Sequence, residues 1–314
     1  MRQNFNLSVA KITVTGGAGF LGKNVVKELI RQGAKQRNVF IPLSHDYDLT
    51  ERNNCRLVTK DKDLVIHLAR NVGGIGKNRE IPGTLFYANA IMGIELMEAA
   101  RVNKVKKFVC IGTICSYPKY TPVPFSEENL WLGYPEETNA AYGLAKKILL
   151  VQAQAYRKQY NFNCIYPMLV NLYGPGDNFD PIYSHVIPAL IKKFFDAKKN
   201  KEKTVTIWGD GTPTREFLHV EDAARAIVMA TKLYNGDDPV NIGAGFEISI
   251  KELAEKIARI LDYKGKVIWD KSKPNGQPRR LLNIAKAKKE FGFEPKVSFD
   301  SGLQKTIEWY LKNN

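Results

Sequence analysis

Short apolar runs alternate with amphipathic stretches as far as about residue 170. Four mostly apolar runs have the length of buried strands, at Val9–Thr15, Asp63–Ala69, Lys107–Gly112 and Asn163–Val170. Helical patterns lie between them, and the longest are Thr84–Val102 and a stretch that ends near Tyr160. Strands that alternate with helices are typical of βαβ units, so the pattern predicts an α/β fold with a doubly wound parallel sheet.

The rhythm changes from about residue 171. A helix is expected from Ser184 onward, followed by a short strand at Thr204–Trp208 and a helix at Glu221–Tyr234. Pro239–Gly243 resembles a strand that returns to the main sheet. The remaining helical patterns, near Ser249–Leu261 and Asp300–Lys312, predict a smaller, mixed α/β C-terminal lobe.

A glycine-rich turn follows the first predicted strand. Gly16, Gly19 and Gly22 are spaced G-x-x-G-x-x-G, with Phe20 and Leu21 between the last two glycines, and a helical pattern follows through Asn24–Ile30. Glycines let the backbone turn tightly beside a pyrophosphate, and a helix N-terminus offers free N–H groups to it. These five residues are therefore predicted to bind a dinucleotide in a Rossmann-type domain. We place that domain at 1–170 plus about 217–243, and a substrate domain at 171–216 and 244–314.

A further predicted strand, Asn38–Leu43, follows the first helical pattern, and its end bears on the choice of dinucleotide. A carboxylate there would bind the ribose 2′-hydroxyl of NAD, whereas an arginine would accommodate the 2′-phosphate of NADP. Ser44 and His45 stand near this tip, after Leu43, and could reach a phosphate. The cofactor prediction is therefore NADP(H), with NAD(H) left open.

Composition narrows the class of protein. The chain of 314 residues has a net charge of +15, but its lysines are spread along most of its length. Such diffuse charge favours a solvated surface and an anionic small substrate over a nucleic-acid partner. No apolar run is long enough to span a membrane, and the start lacks the core of a signal peptide. Four cysteines without metal-ligand spacing predict reduced thiols, a cytoplasmic location and no metal site.

One pair of side chains suggests carbonyl chemistry. Tyr142 and Lys146 are four residues apart in a helical stretch, so both emerge on one face. A lysine beside a tyrosine stabilises the phenolate, and such a tyrosine can exchange a proton with a carbonyl or alcohol oxygen. Alone, the pair is more often just two helical neighbours. Thr113 supplies a further hydroxyl for the same site, because it ends a predicted strand 29 residues earlier.

Together these features resemble the extended short-chain dehydrogenase/reductase family. The resemblance rests on the glycine motif, the set Thr113, Tyr142 and Lys146, and the segments 171–175 and 215–222. It implies that the cofactor also contacts Leu68, Ala69, Tyr142 and Lys146. It further implies a homodimer paired through helices near 84–102 and 140–160.

Four stretches are similar to one branch of that family, the GDP-L-fucose synthases. They are 72–75, 115–119, 177–190 and 208–217. The branch epimerises C3 and C5 of GDP-4-keto-6-deoxy-mannose and then reduces C4 with NADPH. The resemblance implies that Cys115 and His185 act as the acid and base, which an epimerisation needs on opposite faces of an enolate. Thr113 and Tyr142 would bind the C4 oxygen, and Lys146 the nicotinamide ribose.

The same resemblance points to a GDP-sugar site. Its predicted residues, which include two arginines suited to a diphosphate, are Gly74, Asn171, Val186, Trp208, Arg215 and Arg280. Cys115 could instead be an inert packed thiol, His185 a partly exposed helix-end residue, and Trp208 a structural residue. His67, inside an apolar run, is read as a satisfied core histidine.

Alternative functions stay open at this point. Thr113 stands where serine is more usual, Leu43 and His45 where basic residues are common, and Arg70 where a small residue is common. These departures could accompany another sugar, such as a 6-deoxy-heptose, or a single-function epimerase or reductase. A non-catalytic nucleotide- or RNA-binding protein would reuse the fold and the positive charge, but the intact Thr113, Tyr142 and Lys146 set disfavours it.

Overall fold

The main sheet has seven strands. The computed structural model describes residues 5–72, 78, 80–180, 183–273 and 275–314. Every pairing in this sheet is parallel, in the order β2-β1-β3-β4-β6-β11, with β5 also paired to β6. The strands are β1 (Ile12–Thr15), β2 (Val39–Phe40), β3 (Leu64–His67), β4 (Lys107–Cys110), β5 (Gly112–Thr113), β6 (Cys164–Leu169) and β11 (Pro239–Ile242). The predicted doubly wound parallel sheet is confirmed, and so is the return of β11 to it.

The strand order reverses at β1. This strand pairs with β2 on one side and with β3 on the other, where Thr15 lies opposite His67. The loops that leave the carboxyl ends of β1 and β3 diverge at such a point and leave a crevice above the sheet. His67 itself is buried and shares a hydrogen bond between its Nδ1 and Thr15 Oγ1 at 2.9 Å, which confirms its reading as a core histidine.

Helices cover both faces of the sheet. In the described part of the chain, helices of seven residues or more are α1 (Phe20–Arg31), α2 (Arg52–Thr59), α3 (Pro82–Val102), α4 (Ala140–Tyr160), α5 (Val186–Lys199), α6 (Val220–Leu233), α7 (Ile250–Ile260), α8 (Ala285–Phe291) and α9 (Phe299–Asn313). The sequence pattern did not reveal α2 and α8, because each is short and buries few residues. None of the helices in these ranges is long and apolar enough to cross a membrane.

Three two-stranded sheets lie beside the main sheet. Parallel pairs join β7 (Asn171–Tyr173) to β10 (Phe217–His219) and β8 (Thr204–Trp208) to β13 (Lys266–Asp270). An antiparallel pair joins β9 (Thr214–Arg215) to β12 (Ile248–Ser249). These pairings bring segments far apart in sequence, 171–173, 214–219 and 248–249, next to the carboxyl end of β6.

The buried apolar residues form two clusters. The first surrounds the main sheet, whereas the second, around Ile191, Phe194 and Leu303, lies among α5, α7 and α9. Leu282 and Phe293 fall in the predicted substrate domain, yet they pack in the first cluster. The predicted division into chain segments remains a prediction.

Candidate active site

A cleft of about 1570 Å³ runs along the carboxyl ends of the main-sheet strands. It brings together every predicted site residue in the described part of the chain; Gly74 lies outside the described residues. The predicted residues that line it are Gly16, Gly19, Phe20, Leu21, Gly22, Ser44, His45, Leu68, Ala69, Thr113, Cys115, Tyr142, Lys146, Asn171, His185, Val186, Trp208, Arg215 and Arg280. All of these residues line a single cleft. The role of each remains a prediction.

The glycine turn is a cradle without room for side chains. A Cβ on Gly22 would lie 2.0 Å from the Gly16 carbonyl oxygen, and one on Gly16 would lie 2.8 Å from the Ala69 nitrogen. Gly16 also has a φ of +70°, which favours glycine. The first turn of α1 has no side-chain cap and no acidic residue, so its N–H groups are not taken up by a side chain. This is the geometry that a dinucleotide pyrophosphate requires.

The outer end of this cofactor region is polar and open. Ser44 is exposed, and His45 has a side chain that is 72% exposed, with Nε2 at 3.3 Å from Asp46. Both residues line the cleft together with Leu43. Among the described residues no arginine stands at this tip, so a 2′-phosphate would be met there by a hydroxyl and an imidazole.

A close approach of α4 brings the reacting groups together. A Cβ on Gly143 would lie 2.3 Å from the Cys115 carbonyl oxygen, so only glycine lets the helix pack against the turn at 114–116. Ser116 Oγ donates to the Gly143 carbonyl at 2.8 Å, and the Thr113 hydroxyl accepts from the Cys115 N–H at 3.3 Å. Tyr142 and Lys146, on the same helix, are both buried. Hydroxyl, thiol and phenol therefore belong to one packed unit.

His185 is the residue that precedes α5. Its φ of −78° and ψ of 172° mark it as the N-cap, but its side chain makes no capping hydrogen bond. Burial, aided by the charge of Arg70, lowers the pKa of His185 to about 4. The imidazole is therefore neutral at pH 7 and offers both a donor and an acceptor nitrogen.

Two polar groups in the cleft were missed by the sequence reading. Asp177 Oδ2 and Ser184 Oγ are buried and have no hydrogen-bond partner within the described part of the chain. Burial raises the pKa of Asp177 to about 6, against a hydrogen bond from the Asn178 N–H and the charge of Arg70. Buried polar atoms without partners are costly, so their place in a ligand-sized cleft indicates that a polar ligand satisfies them. Their sequence context, a Gly-Pro-Gly turn and a helix start, gave no such signal.

A second missed cluster surrounds Cys115. Arg280 Nη1 donates to Cys115 Sγ at 3.7 Å, and Arg280 Nε donates to Gln277 Oε1 at 2.7 Å. Glu136 Oε2 lies 4.0 Å from Arg280 Nη2. Although burial opposes it, hydrogen bonds from Thr138 and Asn139 hold the pKa of Glu136 below its usual value. Neither Glu136 nor Gln277 belongs to a recognisable motif.

Glu216 fixes two of the arginines that line the cleft, Arg215 and Arg280. Its buried carboxylate accepts from the backbone N–H groups of Ala244, Gly245 and Leu282 at 2.6–2.8 Å. Burial raises the pKa of Glu216 to about 7. The neighbouring residue Arg215 thereby stays beside Arg280, and burial and the Arg280 charge lower the pKa of Arg215 to about 10.

The other end of the cleft is wide and more exposed. Trp208 is 62% exposed, with the Lys273 ammonium 5.7 Å from its ring centroid. Asn171 Nδ2 donates to the Glu216 carbonyl at 3.3 Å. Lys193, which the sequence reading did not single out, also lines the cleft. Aromatic, amide and cationic groups at one mouth are the chemistry that binds a nucleotide.

Comparison with known proteins gives consistent matches. A model of the NAD dependent epimerase/dehydratase family matches residues 12–243. GDP-L-fucose synthase 1 of Arabidopsis thaliana is 40% identical over 306 residues, 97% of this chain and 94% of that protein. A GDP-6-OMe-4-keto-L-xylo-heptose reductase from C. jejuni has a TM-score of 0.91 and 25% identity, covering 99% of this chain and 100% of that one. A GDP-L-fucose synthetase from Naegleria fowleri bound to NADP has a TM-score of 0.88 and 27% identity, covering 100% and 98%.

The family match agrees with the geometry. It extends over the whole main sheet, from β1 to β11. The glycine cradle, the buried Tyr142 and Lys146 pair and the strand order are the features that this match predicts. The chain belongs to the NAD-dependent epimerase/dehydratase family, the extended short-chain dehydrogenases/reductases.

Proposed function

We propose that this protein is an NADP(H)-dependent 3,5-epimerase/4-reductase of a GDP-4-keto-6-deoxy-sugar. The proposed substrate is GDP-4-keto-6-deoxy-D-mannose, and the proposed product is GDP-L-fucose. The observation that carries the proposal is the single cleft in which a dinucleotide cradle leads to Thr113, Cys115, Tyr142 and His185. Full-length similarity to GDP-L-fucose synthase 1 of Arabidopsis thaliana supports the same substrate.

Cys115 and His185 carry the epimerisation. A proton leaves the carbon beside the C4 ketone on one face of the sugar, and another returns on the opposite face, at C5 and at C3. The electron pair of the broken C–H bond moves onto the C4 oxygen. The Thr113 and Tyr142 hydroxyls donate hydrogen bonds to that oxygen and stabilise its charge. His185 is suited to this work because it is neutral at pH 7.

Tyr142 completes the reduction. When bound, NADPH supplies the hydride that C4 accepts. Tyr142 donates its phenolic proton to the C4 oxygen, and the Lys146 ammonium stabilises the phenolate that remains. Lys146 also holds the nicotinamide ribose. Both side chains are buried, so water does not compete for the proton.

The nucleotide occupies the wider mouth of the cleft. Asn171, Val186, Trp208 and Arg215 line this region, and Arg215 is a cation suited to a diphosphate. At the cofactor end, Ser44 and His45 bind the 2′-phosphate, which gives the preference for NADP over NAD. The NADP-bound Naegleria fowleri structure supports this choice.

The test follows both half-reactions by NMR in D₂O. The enzyme is incubated with GDP-4-keto-6-deoxy-mannose, with and without NADPH. Deuterium at C3 and C5 without NADPH, and GDP-L-fucose with it, are expected. Cys115→Ala and His185→Ala should each lose the exchange, whereas Cys55→Ala, at a buried thiol outside the cleft, should keep it. Reduction without exchange would contradict the epimerase half, and the absence of both would contradict the substrate.

A second candidate is reduction or epimerisation of a GDP-4-keto-6-deoxy-heptose. Asp177 Oδ2 and Ser184 Oγ, which have no hydrogen-bond partner among the described residues, favour it, because a sugar with an extra hydroxyl would satisfy groups that a methyl cannot. The TM-score of 0.91 with a GDP-heptose reductase points the same way. Competition between the two GDP-sugars at equal concentration decides: a kcat/KM ratio of about 10 or more for either sugar assigns the substrate.

We further propose a cytoplasmic homodimer. The exposed side chains of Phe86 and Tyr87 on α3 and of Val151 and Tyr160 on α4 form apolar surface on the two predicted pairing helices. A second copy would cover it. Analytical ultracentrifugation should give a dimer for the native chain and a shift toward monomer for Tyr87→Glu with Val151→Glu. A monomeric native chain would contradict the proposal.

A further inference from the structure

A buried arginine contacts the candidate catalytic thiol. Arg280 is 8% exposed, and its Nη1 donates to Cys115 Sγ at 3.7 Å, a contact between residues 165 positions apart. The sequence reading placed Arg280 with Arg215 as a diphosphate ligand. A guanidinium turned toward a thiol suits a different task, because it stabilises the negative charge of a thiolate.

The guanidinium is fixed in this orientation from two sides. Gln277 Oε1 accepts from Arg280 Nε at 2.7 Å, and Gln277 Nε2 donates to the Lys119 carbonyl at 2.7 Å. The Arg280 carbonyl accepts from the Glu216 N–H at 3.1 Å. Side chain and backbone are thus both held, which leaves Arg280 little freedom to swing toward a ligand elsewhere.

The charges around the thiol leave a positive excess. Arg280 contacts Cys115, Arg215 is close enough to interact with both, and Glu136 Oε2 lies 4.0 Å from Arg280. The helix packed against the Cys115 backbone carries the titratable residues Tyr142, Lys146 and Lys147, of which Tyr142 and Lys146 line the cleft. Two guanidinium groups thus face one carboxylate, and that carboxylate also accepts hydrogen bonds of 2.6 Å from the Thr138 hydroxyl and the Asn139 amide. A thiolate at Cys115 would balance the cluster.

We propose that Arg280 is a positioning residue that stabilises the thiolate form of Cys115. Of the two arginines predicted to bind the diphosphate, only Arg215 then contacts it. The thiol proton passes to solvent when Cys115 ionises. In the epimerisation, which is the part of this inference that rests on the proposed function, the thiolate takes a proton from carbon and becomes a thiol. Arg280 itself transfers no proton.

Alkylation by iodoacetamide measures the thiolate directly and needs no substrate. Cys55, Cys110 and Cys164 are at most 2% exposed, and burial raises the pKa of each thiol, so Cys115 is the one expected to react. Cys115→Ser gives the blank. Arg280→Gln should slow alkylation at pH 7 about tenfold and move the rate–pH curve to higher pH. Arg280→Lys, which keeps the charge, should recover part of the rate.

A second variant should act in the opposite direction. Glu136→Gln removes the carboxylate that competes for Arg280, so alkylation at pH 7 should become faster, by about threefold. Loosened packing could also speed alkylation by exposing the thiol, so an unchanged urea-unfolding midpoint and a rate–pH curve moved to lower pH identify the charge effect. If Arg280→Gln fails to fold, two separate single variants carry the test. Glu136→Gln should speed alkylation, and Gln277→Ala, which removes the hydrogen bond that holds the guanidinium, should slow it.

Two outcomes would overturn the inference. One is an alkylation rate in Arg280→Gln equal to that of Arg279→Gln, the matched control at an exposed arginine paired with Glu247. The other is a tenfold loss of GDP affinity in Arg280→Gln by calorimetry, with Arg215→Gln unchanged. The expected result is the reverse: weaker GDP binding in Arg215→Gln and GDP affinity within about twofold of native in Arg280→Gln. The alkylation assay uses no nucleotide sugar, so its result stands even if the proposed substrate fails. The calorimetry depends only on the GDP part of that proposal.

Discussion

The cofactor end of the cleft and the part that holds the reacting groups, called here the reacting end, are built in different ways. At the cofactor end, the backbone makes the site: Gly16 and Gly22 leave no space for a Cβ, and the uncapped first turn of α1 lines the cleft. At the reacting end, side chains make the site, and Cys115, His185 and Arg280 come from three separate parts of the chain. The cofactor end should therefore be sensitive to added side-chain volume, and the reacting end to the loss of a functional group.

This difference predicts how each end fails. A backbone site depends on close packing, so a single added methyl group should disturb fold and cofactor together. A side-chain site can lose a functional group while the surrounding structure persists, so activity should fall without loss of stability. Substitutions matched in size at the two ends therefore separate the two designs.

The largest effect is expected at the glycine cradle. In Gly22→Ala the new Cβ would meet the Gly16 carbonyl at 2.0 Å, so the turn must open, at a cost of about 3 kcal/mol or more. NADPH affinity should fall at least a hundredfold, measured by fluorescence alongside urea unfolding. Gly83→Ala is the control: its Cβ meets nothing within 4 Å, and its stability should change by less than about 1 kcal/mol. Equal behaviour of the two variants would contradict the cradle.

Tyr142→Phe should break the reacting end alone. Removing the phenolic proton donor should lower the rate of NADPH-dependent reduction by about 10²–10⁴-fold. The apolar ring remains packed, so the unfolding midpoint and NADPH affinity should stay near those of the native enzyme. Tyr134→Phe, at an exposed tyrosine outside the cleft lining, should retain full activity. A loss of NADPH binding comparable to the loss of rate would argue against the proton-donor role.

Ser44→Asp tests the outer rim of the cofactor end. A carboxylate at this position would repel a 2′-phosphate, so NADPH affinity should fall about 10–100-fold. NADH affinity involves no 2′-phosphate and should be retained or rise, because a carboxylate at this tip can bind the ribose 2′-hydroxyl; NADH is the internal control. Parallel titrations of both cofactors measure the ratio. An unchanged ratio would show that the 2′-phosphate lies away from this tip.

The smallest effect is expected for Asp177→Asn, in how its free energy of unfolding depends on pH. The folded-state pKa of Asp177 is raised to about 6, so the fold favours the protonated carboxyl. The resulting contribution to the free energy of unfolding is fully present below the unfolded-state pKa near 4 and is lost as the pH rises through 6. The asparagine variant should therefore be more stable than native by about 1–2 kcal/mol at pH 7.5 and about equal at pH 4. Urea unfolding at both values measures this, and comparison at each pH cancels the contribution of His185. A variant no more stable than native at pH 7.5 would contradict the buried, ligand-free carboxylate.

The sequence predicted the backbone-built end well. The first strand, the glycine spacing and the start of α1 are neighbours in the chain, so local rules describe them. The Tyr142 and Lys146 pair was visible for the same reason, as one helical turn. The short helices α2 and α8 and the strand β13 were missed, because few buried residues give them a periodicity.

The side-chain-built end was predicted only in part. Family resemblance pointed to Cys115 and His185, but not to the groups that act on them. Three relations join distant segments: burial and Arg70 keep His185 neutral, Asp177 Oδ2 has no hydrogen-bond partner in the part of the chain that the structure describes, and Arg280 faces Cys115.

The sequence by itself determined the sheet class, the dinucleotide turn and the reacting residue types, since each depends on periodicity or on contacts within a few residues. Tertiary structure alone decided which charge stands beside which reacting group. Strand order and the small sheets of the C-terminal half set those distances, and the Coulomb and desolvation energies that shift the pKa values of Asp177 and His185 depend on distance and burial rather than on position in the chain.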